Sequence, residues 1–236
     1  MRVLGQDHLQ TLAFRINLAA AYRAAGDLRR AISLYEQILR DSVRVLGEDH
    51  PQTLWSRNNL AYAYRTAEDL DQAIPLFEQT LEGRRRVLGE DHPYTLVSRS
   101  NLAGAYLAAG DVLRAIRLYR QTLADRQRVL GEGHPDTLVS RSLLASAYQS
   151  AENLGRAIPL FEQTLEGRRR VLGEDHPDTL GSRSLLAGAY LAAGDPGRAI
   201  PLFEQTVADS VRVLGQDHPL TKIVRDELAA ARQLPH

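Results

Sequence analysis

The sequence predicts an all-α solenoid of helix–turn–helix units. A short motif returns every 42 residues along the whole chain, each period holds two amphipathic helical patterns, and helix start and stop signals recur at fixed places between them. Val-Leu-Gly begins at Val3, Val45, Val87, Val129, Val171 and Val213, and His8, His50, His92, His134, His176 and His218 keep the same step. Tyr22, Tyr64, Tyr106, Tyr148 and Tyr190 repeat five times and then stop. Such a period marks units that cannot bury both of their faces alone and must stack on their neighbours. The expectation is one array over 1–236, with full repeats at 8–49, 50–91, 92–133, 134–175 and 176–217. A terminal helix is expected at 218–236, and 1–7 reads as the remnant of a preceding second helix. No linker or composition shift interrupts it. A second period of 84 residues lies on the first: IPLFEQTLEGRRRVLGEDHP is identical at 74–93 and 158–177, and LAGAYLAAGD at 102–111 and 186–195.

The second repeat shows each element in order. His50-Pro51 opens a first helix, because proline is tolerated at the first helical position and Asp49 or His50 can cap it. Leu54, Leu60, Ala61 and Tyr64 then line one side. The pattern pauses at Ala67-Glu68-Asp69, where repeats one, three and five have Ala-Gly-Asp, a helix stop followed by an N-cap. A second helix places Ala73, Ile74, Phe77 and Leu81 on one face and stops at Gly89. Pro75, Pro159 and Pro201 fall inside second helices and each removes one backbone donor. Ala19, Ala61, Ala103, Ala145 and Ala187 on first helices, and Ala31, Ala73, Ala115, Ala157 and Ala199 on second helices, allow close approach. The Arg84–Arg86 and Arg168–Arg170 runs read as solvated charge matched to the helix dipole. In the last helix the tyrosine position becomes Arg232, and Arg225, Asp226 and Glu227 make the polar surface expected of a cap.

Composition removes whole classes of function. The 29 basic and 29 acidic side chains cancel, which leaves no bulk attraction for nucleic acid or anionic membrane. With no cysteine there is no disulfide, thiolate zinc site, iron–sulfur cluster or cysteine nucleophile. No apolar run approaches a membrane span and no signal peptide follows Met1, so a cytoplasmic protein is expected. The 28 arginines against one lysine point to a GC-rich bacterial genome. Histidines one repeat apart are separated by about 10 Å, too far to share an ion with bonds of about 2 Å, and read as helix caps. Gly131-Glu132-Gly133 lacks the third glycine and the strand of a dinucleotide site. No Ser/His/Asp set breaks the repeat symmetry. The reading is a non-enzyme with no cofactor and no metal.

The order Leu60-Ala61, Tyr64, Ala73, Phe77 resembles the tetratricopeptide repeat, and the 42-residue length with Val-Leu-Gly-x-Asp-His-Pro is similar to the variant of kinesin light chains and bacterial arrays. The likeness covers essentially the entire chain. Two departures stand out: the family's tryptophan near the start of the first helix is Arg15, Arg57, Arg99, Arg141 and Arg183, and Leu143 and Leu185 replace the asparagine of Asn17, Asn59 and Asn101.

The resemblance implies a right-handed superhelix with a concave groove, lined by first helices, that binds an extended peptide or partner helix. The family register places Ala13, Ile16, Asn17, Ala20 and Arg23 on that face in repeat one, then Trp55, Asn58, Asn59, Tyr62 and Arg65 in repeat two. Repeat three adds Val97, Ser100, Asn101, Gly104 and Leu107. Repeats four and five supply mainly small and apolar residues, and no position is acidic. Asparagine amides donate to and accept from a peptide backbone. Arg23 and Arg65 suit ligand carboxylates, and Trp55 and Tyr62 suit an apolar anchor. The expected partner is therefore an extended, neutral-to-acidic peptide, bound by the sensor or scaffold portion of a larger protein. Two structural uses of the same residues stay open: Trp55 packing on a neighbouring helix, and asparagines bridging adjacent helices. A different reading is a self-associating array that oligomerises end to end through an uncapped N-terminal end.

Overall fold

The five histidine–proline junctions start helices, and the computed structural model shows the chemistry. The Nδ1 atoms of His50, His92, His134, His176 and His218 accept hydrogen bonds from the backbone N–H two residues on, at 3.1–3.2 Å. Each satisfies one orphan donor of the first turn, with proline at the position that has no donor to satisfy. Residues 9–233 are described, with side chains from residue 14. The remnant expected at 1–7 lies outside them.

Among the described residues there are eleven helices and no strand. First helices are α1 (Leu9–Ala24), α3 (Pro51–Thr66), α5 (Pro93–Ala108), α7 (Pro135–Ser150), α9 (Pro177–Ala192) and α11 (Pro219–Ala231). Second helices are α2 (Leu28–Leu46), α4 (Leu70–Leu88), α6 (Val112–Leu130), α8 (Leu154–Leu172) and α10 (Pro196–Leu214). Contacts divide the chain into two bodies, with the division between Leu118 and Tyr119, inside α6. In the first body each helix from α1 to α5 packs on the next; in the second the same holds from α7 to α11, and α9 also touches α11. The architecture is an all-α solenoid of paired helices.

Turns within a repeat need a left-handed residue. Gly26, Gly110 and Gly194 take φ of 74–80°, while Glu68 and Glu152 adopt the same conformation at 61° and 55° despite their side chains. The next residue caps the second helix: Asp27, Asp69, Asp111 and Asp195 accept from the N–H three positions on, whereas Asn153 makes no side-chain cap bond. The glycines of Val-Leu-Gly end the second helices at φ of 87–90°.

Packing follows the small residues. The repeated alanines of both helices are fully buried, and Tyr35, Phe77, Tyr119, Phe161 and Phe203 fill the space beside them. In the first repeats the core joins Ile16, Tyr35, Ile38 and Leu60 across the repeat boundary. Arginines at the family's tryptophan position form buried clamps. Arg99 donates to Glu90 at 2.6 Å, Arg57 pairs with Glu48 and Arg141 with Glu132, each glutamate following the glycine that ends a second helix. Arg183 reaches both Glu174 and Asp209. The solvated reading of the arginine runs is corrected at Arg84, which is buried because it points into the next first helix; Arg85 and Arg86 pair with Glu90 and Asp49 at the surface.

Candidate functional site

On α1, α3 and α5 the positions that vary between repeats divide into two kinds. The place of Trp55 is open: Trp55 is 41% exposed, and Val97 in the first body and Val139 and Ile223 in the second are also exposed. The place of Asn58 is mostly closed: Ile16, Asn58, Ser142 and Ser184 are buried and Ser100 is half-buried, while Asp226 on α11 is exposed. Of the sequence-predicted residues, Asn17 and Arg23 are exposed, while Asn59, Tyr62 and Arg65 are half-buried. The side chain of Ala13 lies outside the described set.

Four predicted residues form one connected group. Tyr62 donates its hydroxyl to Oδ1 of Asn101 at 3.0 Å, and Nδ2 of Asn101 donates to Oδ1 of Asn58 at 3.0 Å. The Arg65 guanidinium lies 4.5 Å from the centre of the Tyr62 ring, whose other contact is edge-on with Phe77 at 5.6 Å. The two buried amides thus bridge α3 and α5, and the ring is held in place from three sides. Asn59 differs: its Nδ2 is buried and has no hydrogen-bond partner. A buried amide donor left unsatisfied costs free energy until something accepts from it. Arg23 lies beside the Tyr35 hydroxyl rather than in this group.

Asn17 and Trp55 meet in a cavity of about 380 Å³, whose walls include Ile16, Leu54, Arg84 and Tyr94. Sequence reasoning had not placed Arg84 or Tyr94 here. Arg84 recurs with Arg126 and Arg168 and therefore reads as scaffold; the available signal was Tyr94, an aromatic where repeats four and five have Asp136 and Asp178 and repeat two has Gln52. A larger cleft of about 860 Å³ borders α4 and α6, and several of its arginines are already paired: Arg57 with Glu48, Arg86 with Asp49, Arg114 with Asp111. Among the described residues no group of three or more His, Asp or Glu could hold a metal ion, and no helix is long and apolar enough to cross a membrane.

The tetratricopeptide repeat family matches residues 10–86, 58–127, 100–170 and 143–210. The chain is a tetratricopeptide repeat protein. Its repeats are of the kinesin-light-chain-like type. A crystal structure of nearly identical TPR-like repeats from a Podosopora anserina putative kinesin light chain is 34% identical, with a TM-score of 0.76 over 87% of this chain and 97% of that one. BtubC (BKLC) from P. vanneervenii is 24% identical with a TM-score of 0.75, covering 89% of this chain and 83% of its own. The STAND protein PH0952 from Pyrococcus horikoshii, which has a tetratricopeptide repeat sensor, is 15% identical with a TM-score of 0.72; 97% of this chain matches 34% of it. The last two show the fold alone. Among curated proteins, none matches the chain in sequence. A tetratricopeptide repeat array is a scaffold consistent with protein–protein interaction.

Proposed function

We propose that this chain is a non-catalytic, cytoplasmic scaffold whose first-helix face binds an extended neutral-to-acidic peptide or partner segment, as the sensor or scaffold portion of a larger protein. The observation that carries this reading is Trp55: a large aromatic held 41% exposed beside a buried amide, Asn59, whose Nδ2 has no partner. An aromatic anchor next to an unmet donor suits a peptide that brings an apolar side chain and a backbone carbonyl. The Arg65–Tyr62–Asn101–Asn58 group supports it by holding the neighbouring surface in one conformation, which lowers the ordering cost of binding. Asn17 and Arg23 extend the polar surface along α1. Nothing in the charge balance favours nucleic acid or membrane as partner. A peptide-display selection tests the reading, with Asn59→Ala and Arg65→Glu run in parallel. A shared motif that is lost on both variants supports the site; unchanged affinity on both removes it.

A second reading is end-to-end self-association, and α1 favours it. Phe14 is 73% and Leu18 48% exposed, whereas the residues at their repeat positions, Ser56, Ser98 and Ser140, and Leu60, Leu102 and Leu144, are buried. Sedimentation over a range of concentrations decides it, with Phe14→Ser/Leu18→Gln as the variant that would stay monomeric.

A further inference from the structure

The cavity beside Trp55 contains a buried cation without an acid. Arg84 is 5% exposed, and its Nη1 donates to the carbonyl oxygen of Tyr94 at 3.0 Å and to Ser98 Oγ at 2.7 Å, both neutral acceptors. Among the described residues it has no carboxylate partner. Its ring contact, 5.5 Å to the centre of Tyr94, compensates a cation less fully than an acid does. Burial lowers the proton affinity of the guanidinium, as expected for a charge removed from water.

The other repeats show what is missing. Arg126 donates to the carbonyl of Asp136 and to Ser140, and Arg168 to the carbonyl of Asp178 and to Ser182, with distances of 2.7–3.0 Å. Burial acts on these two arginines in the same way, and it is opposed there by the carboxylates of Asp136 and Asp178, as it is beside Arg84 by the Tyr94 side chain, which is neutral at ordinary pH. At the corresponding place beside Arg84 stands Tyr94, 61% exposed, so the same backbone bond is kept while the acidic side chain of repeats four and five is replaced by one that is neutral at ordinary pH. Trp55 and Tyr94 wall the opening, and Asn17 adds an amide at its rim. A buried cation that lacks an anion is costly, and a carboxylate entering the cavity relieves that cost through a charge-assisted bond in a low-dielectric site.

We propose that this cavity is a carboxylate-binding site, with Arg84 as its cation and Trp55 and Tyr94 as its walls, and that it takes the acidic group of a ligand lying on the first-helix face. The second part rests on the peptide-binding reading above; the first does not.

Trp55 is the sole tryptophan of the chain, so its fluorescence reports directly on the cavity. The probes are benzoate and its neutral analogue benzamide. Benzoate should change Trp55 emission saturably, and benzamide should bind about tenfold or more weakly, the cost of one charge-assisted bond. Tyr94→Asp installs the aspartate that repeats four and five carry at Asp136 and Asp178, near a helix N-terminus where acid is favoured, so the fold is kept. That variant should lose the benzoate response while its circular dichroism is unchanged. No saturable response to benzoate, equal binding of benzamide, or an unaltered benzoate affinity in Tyr94→Asp overturns the site. Two capped peptides then separate the sources of the acid: one with an internal glutamate and an amidated end, one with a neutral sequence and a free C-terminal carboxylate. Benzoate binding with neither peptide bound upholds the cavity and removes its link to a peptide.

Discussion

Replacing Asp209 by alanine takes away one of the two carboxylates that neutralise a fully buried arginine. Arg183 is 0% exposed; its Nη1 donates to Asp209 at 2.7 Å and its Nη2 to Glu174 at 3.2 Å. Removing one partner of a buried ion pair costs roughly 3–5 kcal/mol, because the remaining charge stays in a poor solvent for it. Two features reduce that figure. Glu174 remains in contact, and the Asp209 side chain is 22% exposed, so water screens part of the interaction. The expected loss is about 2–3 kcal/mol, a fall in melting temperature of about 4–12 °C for a chain of this size. Urea unfolding followed by circular dichroism measures it, alongside a thermal scan. A loss below about 0.5 kcal/mol would show that Glu174 and water suffice and that the clamp is not what holds α9 to α10. The double variant Arg183→Met/Asp209→Ala should recover most of the loss, because no charge is stranded. Gly83 stands at the Asp209 place in repeat two, where a Cβ would lie 2.5 Å from Leu54 Cδ2, so an added side chain there requires Leu54 to shift.

Gly89→Ala should cost about 1–3 kcal/mol in urea unfolding, since φ of 87° and ψ of 168° belong to a region open essentially to glycine. A Cβ there meets nothing within 4 Å, so a neutral result would show that the backbone relaxes freely. Glu152→Gly should stabilise by about 0.5–1 kcal/mol, the left-handed strain at φ 55° less the extra chain entropy of glycine; a loss of stability would refute that balance. Asp49, Asp175, Asp195 and Asp209 are held below the ordinary aspartate range chiefly by hydrogen bonds from Arg86, Arg212, Arg198 and Arg183. Their folded values lie below the unfolded ones, so the stability they add is complete above about pH 4 and is lost as pH falls further. Urea midpoints flat to below about pH 3 would contradict this. The Tyr64 hydroxyl is pushed up to about 12 by burial and by the bond it donates to Glu36 at 2.6 Å. Its contribution is present below about pH 10 and lost as pH rises through about 12, and Tyr64→Phe should remove that alkaline step.

The repeat, its helices and their ends were legible in the residues because local chemistry sets them. Histidine before proline caps a helix, glycine after Val-Leu ends one, and an alanine at each crossing admits the next helix, wherever in the chain these residues occur. The balance of charges and the absence of cysteine were equally plain. What the residues did not reveal was which side chains face each other across a repeat boundary, because those contacts join positions tens of residues apart. Asn101 and Asn58 lie 43 residues apart, and only packing of α5 on its neighbours brings their amides within 3.0 Å. Arg84 belongs to a run that reads as solvated, yet the crossing of α4 and α5 buries it against Ser98. Sequence spacing specifies each helix and where it stops, because those rest on neighbours three or four places away. The burial of a charge, and hence whether it seeks an outside partner, depends on what the next helix lays over it, and that was settled only by the tertiary structure.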